Sequence, residues 1–206
     1  KIDMLDPAGV VVSASFDEHG GLPLCSLHVS HDSKFFLSTD AAGCIKIWRQ
    51  SVTGEIVGSF NGHSTAVPGA KFYSSDATRC VSIGLEGSSR TWSMTAHGID
   101  VPVGAIHDSA ITTMAISTQH GWIATGCRNG VVKVFKDLPS QSATQDAATQ
   151  RNFAHTCGWI TVCPFPDNRA ASSYIAFEEG VGEQDTFLVL GDIAGRISVW
   201  RMVLGP

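Results

Sequence analysis

The segment LSTDAAGCIKIWRQ, Leu37–Gln50, places a glycine, Gly43, five positions before a tryptophan, Trp48. Between them apolar and polar residues alternate, the pattern of a strand that leaves a tight turn. The same glycine-to-aromatic distance returns in EGSSRTW (Gly87, Trp92), NGVVKVF (Gly130, Phe135) and AGRISVW (Gly195, Trp200). A turn entering a strand at this point calls for a positive φ, which glycine adopts without a steric cost. The chain therefore contains one motif four times.

The aromatic residues are spaced by 44, 43 and 65 positions. The first two intervals fall within the roughly 40–45 residues of a propeller blade. A strand precedes each glycine: FFLST at 35–39, RCVSI at 79–83, WIATG at 122–126 and TFLVL at 186–190. Before these come CSLHVS, AVPGAKF, ITTMAIS and GWITVCPF, and outermost GVVVSASF, EIVGSF, VPVGAI and RNFA. Each unit thus carries four short strands divided by Gly, Asp, Ser and Asn, and no long window has helical periodicity. The expected fold is all-β, with four-stranded antiparallel blades at about 10–48, 55–92, 101–135 and 150–202. Two stretches break the pattern. Residues 136–152 form a polar loop or short surface helix, and residues 166–185 read as an insertion that lengthens the last unit.

Bulk composition narrows the function. Charged residues are 16% and the formal net charge is −5, which disfavours nucleic acid held by bulk electrostatics. No apolar run reaches the roughly 18 residues of a membrane helix. Six cysteines stand without any C-x-x-C pair, so a zinc site is not expected, and a reducing, intracellular and cytoplasmic setting is the simpler reading.

Polar residues repeat with the strands. His19 lies 19 positions before Ser38, His63 lies 19 before Ser82, and His107 lies 18 before Thr125. Asp32 and Asp76 each stand six positions before their serine, and Trp48, Trp92 and Phe135 follow the hydroxyl by 10. An indole N–H, a hydroxyl, an imidazole and a carboxylate can form one hydrogen-bond chain. The chain resembles the WD40-repeat β-propellers, on Asn61-Gly62-His63, on the Asp–Ser–Trp spacing, and on DAAGCIKIW and CRNGVVKVF. The resemblance covers about residues 10–202. It implies buried structural tetrads at His19, Asp32, Ser38 and Trp48, and at His63, Asp76, Ser82 and Trp92. The third unit keeps His107 and Thr125 but has Gln119 and Phe135. The fourth keeps His155, Asp167 and Trp200 but has Leu190 for the hydroxyl. The family's aspartate after the aromatic is missing: Arg49, Ser93, Lys136 and Arg201 stand there. Four blades seldom close a ring, so the resemblance implies a segment of a longer protein, or a partner that supplies the remaining blades.

A Ser–His–Asp set invites a hydrolase reading. Repetition at blade spacing argues for structure instead, and no G-x-S-x-G elbow is present. The expectation is a non-catalytic scaffold without metal or cofactor, whose rim loops dock proteins or peptides in a larger assembly. Arg49, Arg90, Arg128, Glu178 and Glu179 are the candidate contact residues. The alternative is a regulatory propeller domain of a larger multidomain enzyme or nucleotide-switch protein.

Overall fold

The computed structural model describes residues 4–5, 11–12, 17–51, 54–73, 76–95, 101–136, 160–162, 164, 170–179 and 186–202. Every regular element among them is a β-strand, and every pairing is antiparallel. A short hairpin opens the chain: β1 (Met4–Leu5) pairs with β2 (Val11–Val12). The first sheet then runs in chain order through β3 (Leu24–Val29), β4 (Phe35–Asp40), β5 (Cys44–Arg49) and β6 (Ile56–Asn61). The second holds β7 (Gly69–Phe72), β8 (Arg79–Ile83), β9 (Ser88–Ser93) and β10 (Val101–Ala105). The third holds β11 (Ile111–Ile116), β12 (Trp122–Cys127), β13 (Val132–Lys136) and β14 (Ile160–Val162). The fourth has three strands, β15 (Ser172–Glu179), β16 (Thr186–Asp192) and β17 (Ile197–Met202).

These sheets are phased one strand later than the sequence units. Residues 56–61, taken from the sequence as the opening strand of the second unit, close the first sheet beside β5. Residues 101–105 close the second sheet, and residues 160–162 close the third. Every such unit straddles two sheets, and the chain itself stitches each sheet to the next. The supposed insertion at 166–185 is also corrected. Ser172–Glu179 is β15, the inner strand of the fourth sheet, paired along its length with β16. The surplus length falls between β13 and β14. The polar stretch 137–152 lies outside the described residues.

Three apolar layers hold four sheets in a stack. Leu37, Ile45 and Ile47 of the first sheet meet Ala70, Phe72 and Trp92 of the second. Val81 and Ile83 of the second meet Ile111, Met114, Ile123 and Phe135 of the third. Ala124, Val132 and Val134 of the third meet Ile175, Leu188 and Leu190 of the fourth. Both faces of a middle sheet are therefore covered, which is why its strands are apolar on both parities. The inner strands sit beside one another: Phe72 N–H donates to His28 Nδ1 at 3.3 Å, and Thr112 Oγ1 to the Ser172 carbonyl at 2.6 Å.

The stack has two rims. Residues 30–34, 50–51, 54–55, 76–78 and 117–121 lie at one, and residues 41–43, 62–68, 84–87, 128–131 and 193–196 at the other. At the second rim the four motif glycines all have positive φ: 97° at Gly43, 87° at Gly87, 76° at Gly130 and 78° at Gly195. Two are also cradled. A Cβ at Gly43 would lie 2.3 Å from the His63 carbonyl oxygen, and one at Gly87 2.4 Å from that of His107. The turn of one sheet thus presses on the histidine segment leading into the next.

Candidate functional site

In the first sheet Trp48 Nε1 donates to Ser38 Oγ at 2.8 Å, and the same oxygen lies 2.7 Å from His19 Nε2. A neutral His19 that gives its Nδ1 proton to a carboxylate leaves Nε2 free to accept, so the hydroxyl donates onward to the imidazole. His19 Nδ1 then meets Asp40 Oδ2 at 2.7 Å. The carboxylate is Asp40, not the expected Asp32. Asp40 ends β4 and aims into the turn, where it also accepts from the backbone N–H of Ala42 and of Cys44, each at 2.9 Å. Burial opposes its charge, but the bonds from His19, Cys44 and Ala42 prevail and hold its carboxyl below the usual range. Asp32 sits at the opposite rim. It accepts from Ser30 Oγ at 2.7 Å and shapes its own turn.

The second sheet repeats the chain with another acid. Trp92 Nε1 donates to Ser82 Oγ at 2.8 Å, and Ser82 Oγ lies 2.7 Å from His63 Nε2. His63 Nδ1 meets Glu86, not Asp76. Glu86 also accepts from Thr65 and Ser88. Burial raises its pKa, yet the bonds from Ser88, Thr65 and His63 outweigh that and bring it down to about 2. Asp76 caps its own turn through Thr78 N and Oγ1, again at the first rim.

The third and fourth sheets carry fragments. His107 Nε2 reaches Thr125 Oγ1 at 2.9 Å, but its buried Nδ1 has no hydrogen-bond partner among the described residues. Burial, reinforced by nearby Lys133, lowers its pKa to about 4, so it is neutral at physiological pH. Gln119, the expected stand-in for aspartate, lies at the first rim and offers its N–H to Glu179. In the fourth sheet Asp192 takes the place of Asp40, but its partner is Arg196, with Nε at 2.7 Å. Trp200 donates to Ser198 at 3.1 Å and is 40% exposed. His155 and Asp167 lie outside the described residues. The position 19 before Leu190 is Ala171, so the histidine spacing of the first two sheets has no counterpart there.

The hydroxyls Ser38, Ser82 and Thr125 are all fully buried, as are Trp48 and Trp92 to within 2%. A triad-like geometry without access to solvent works as a brace, since each buried group left unpaired would cost about 1–3 kcal/mol. His19, Asp40 and Cys44 also bring ligand atoms within 4.8 Å of one another. Both nitrogens of His19 are already engaged by Asp40 and Ser38, and burial raises the Cys44 thiol pKa. That donor set suits hydrogen bonding better than a cation.

The five candidate contact residues do not converge. Arg49 pairs with Glu55 at 2.7 Å at the first rim, both side chains about half exposed. Arg128 is exposed at the second rim, and Arg90 is partly buried within β9. Glu178 is exposed at the end of β15. Its neighbour Glu179 accepts from Ser117 and Thr118 and from Gln119 N–H, so it fastens the fourth sheet to the third. His28 and His120 also bridge sheets. His28 takes the Phe72 N–H, and His120 reaches Thr186 at 3.1 Å while packing on Trp122.

Stacked four-stranded sheets with radially ordered strands and buried Trp–Ser–His–acid braces define a class, the β-propeller blade array. Within that class this chain carries WD40 repeats: the family model for the WD domain, G-beta repeat, matches residues 11–49 and 102–136. A neurobeachin homolog of Caenorhabditis elegans is 24% identical over 113 residues, and one of Caenorhabditis briggsae is 25% identical over the same length. In each case the match covers 47% of this chain and 4% of the relative, so the chain spans a small fraction of the curated relatives it resembles. A chain in a crystal structure of the mitotic checkpoint complex superposes with a TM-score of 0.68 at 18% identity, over 95% of this chain and 54% of its own length. At that identity the likeness is one of fold.

Proposed function

We propose that this chain is a non-catalytic interaction scaffold, intracellular and cytoplasmic, whose first rim docks other proteins or peptides inside a larger assembly. The observation that carries the reading is the burial of the repeated serine, threonine and histidine groups. Chemistry needs a nucleophile that substrate can reach, and here each hydroxyl is enclosed between sheets. The first rim offers loop residues 30–34, 50–51, 54–55, 76–78 and 117–121 between paired strands, with charged residues of both signs at Lys34, Arg49, Glu55 and Glu178. Loops held this way are the usual seat of recognition. The small share of the curated relatives that the chain matches supports a role as one module of a much larger polypeptide.

Site-specific photocrosslinkers at His31 on the first rim and at Arg128 on the second test this. A defined partner should crosslink at His31, and Lys34→Glu should abolish it while the melting temperature stays unchanged. Crosslinking confined to Arg128 moves the docking surface to the other rim. A turnover lost in Ser38→Ala at unchanged melting temperature refutes the scaffold itself.

A further inference from the structure

The turns that lead into β4 and β12 share one frame and differ in where their acid comes from. Ser30 N–H donates to the Phe35 carbonyl and Ser117 N–H to the Trp122 carbonyl, each at 2.8 Å. In the turn of the first sheet the acid is internal: Asp32 accepts from Ser30 Oγ at 2.7 Å and from the Lys34 N–H at 3.2 Å. The turn of the third sheet has Gln119 at that place and no acid among residues 117–121. Its carboxylate comes from the fourth sheet. Glu179 accepts from Ser117 Oγ, from Thr118 Oγ1 and from the Gln119 N–H.

The grip takes in a cross-strand pair. Glu179 lies opposite Thr186, where β15 ends and β16 begins, and Thr186 Oγ1 lies 3.1 Å from His120 Nε2. One turn therefore holds both residues of the pair. Burial works against the charge on Glu179, but the bonds from Ser117, Thr118 and Gln119 prevail and hold its carboxyl below the usual range. The group is ionised at neutral pH. The hydroxyls around it differ in access. Ser117 is fully buried and also takes the His120 N–H at 3.0 Å, and Thr186 is 4% exposed. Thr118 is exposed.

We propose that Thr118 is a phosphorylation site, and that the turn 117–120 is a latch on the fourth sheet which the phosphate opens. The donor is ATP, delivered by a protein kinase. The bond from the γ-phosphorus to the bridging oxygen breaks and a bond from Thr118 Oγ1 to that phosphorus forms. The hydroxyl proton passes to the kinase's base, and ADP leaves. A hydroxyl that donates to Glu179 becomes a group of about −1.5 to −2 charge set against a carboxylate. The hydrogen bond is lost and like charges meet at its former length. The first sheet's turn has no such response, because Asp32 accepts from within its own turn. Opening the latch changes the first rim where β15 ends. That consequence for docking rests on the reading of the first rim given above, and the latch itself does not.

Hydrogen exchange tests the latch. Phosphothreonine is encoded at position 118, and amide exchange is followed in β15 and β16, with β3 and β4 as the internal reference. Amides at the first-rim end of β15 and β16 should exchange at least about tenfold faster than in the unmodified protein, while β3 and β4 keep their rates. Glu179→Gln removes the opposing charge, so in that background the phosphate should speed exchange by less than about threefold. Thr118→Glu repeats the measurement should the phosphorylated protein fail to fold. Unchanged exchange in the phosphorylated protein overturns the latch, and so does an equal acceleration in the Glu179→Gln background. Peptide mapping by mass spectrometry of the protein purified from cells, with phosphatases inhibited, should find phosphate on Thr118. Its absence there overturns the site. Crosslinking at His31 is read on unphosphorylated protein, so the rim reading and the latch can fail independently.

Discussion

The second and third sheets each hold four antiparallel strands in chain order and pack through apolar layers, but their polar anatomy differs. In the second, Trp92, Ser82, His63 and Glu86 form an unbroken chain. In the third, Phe135 replaces the indole, Thr125 bonds His107, and the far nitrogen of that histidine has no partner among the described residues. Both sheets still hold their strands and their neighbours. Packing therefore sets the blade, and the hydrogen-bond chain adds strength and orientation to it. A break in the second sheet should cost more than the matching break in the third, because more partners are left unpaired.

The largest effect is expected from the aromatic itself. Trp92 is 2% exposed and joins the layer against Phe60, so Trp92→Ala should lower unfolding free energy by about 3–5 kcal/mol in urea melts, with a cavity and the lost indole bond to Ser82 contributing together. A loss below about 1 kcal/mol would mean that the layer collapses around the gap.

Next comes Gly87, in the β8–β9 turn of the second sheet, which presses on the histidine segment leading into the third. Gly87→Ala combines a positive φ with a Cβ 2.4 Å from the His107 carbonyl oxygen, and should cost about 2–4 kcal/mol. Gly195→Ala is the control. It has a similar φ, but its Cβ would meet nothing within 4 Å, so about 1–2 kcal/mol of conformational strain is expected. Equal losses at the two positions would show that φ alone sets the cost and that the contact with the histidine segment is inconsequential.

The hydroxyls sharpen the contrast further. Ser82→Ala deprives both Trp92 Nε1 and His63 Nε2 of a partner and should cost about 2–3 kcal/mol, whereas Thr125→Val deprives only His107 Nε2 and should cost about 1 kcal/mol. Comparable melting temperatures for the two variants would contradict the idea that the brace acts as a connected unit.

The braces also show which parts of the site can be read from a sequence. The histidine, hydroxyl and aromatic keep constant spacing because they sit on strands of fixed length and register. The acid does not. Asp40 stands two positions after its serine and Glu86 four after, yet both reach the same imidazole nitrogen, the longer side chain from further along the turn. A search for constant spacing instead selects Asp32 and Asp76, which recur because each shapes the same rim turn. The sheet boundaries were hidden for a related reason. A period has no intrinsic starting point, and only the pairing of β5 with β6, β9 with β10 and β13 with β14 sets the phase. Within the fourth unit, the extra residues before β14 displaced the expected strands far enough to make β15 read as an insertion.

The smallest expected effect is a pH dependence that separates the two histidine environments. Burial and Lys133 lower the pKa of His107 to about 4 from an ordinary 6.5, so the folded state prefers the neutral ring. The unfolded chain takes up the proton first as pH falls. The contribution is therefore intact above pH 6.5 and is lost progressively toward pH 4, at about 1 kcal/mol between pH 7.5 and 5.5. Glu86 behaves differently. With its pKa lowered from 4.5 to about 2, its contribution persists above pH 4.5 and disappears only as pH falls through 2. His107→Gln should flatten the stability curve between pH 7.5 and 5.5 and leave the decline below pH 4.5 in place. Glu86→Gln should do the reverse. If His107→Gln leaves the upper limb of the curve unchanged, the unpaired nitrogen is hydrated in solution and the third sheet's brace is less incomplete than its geometry indicates.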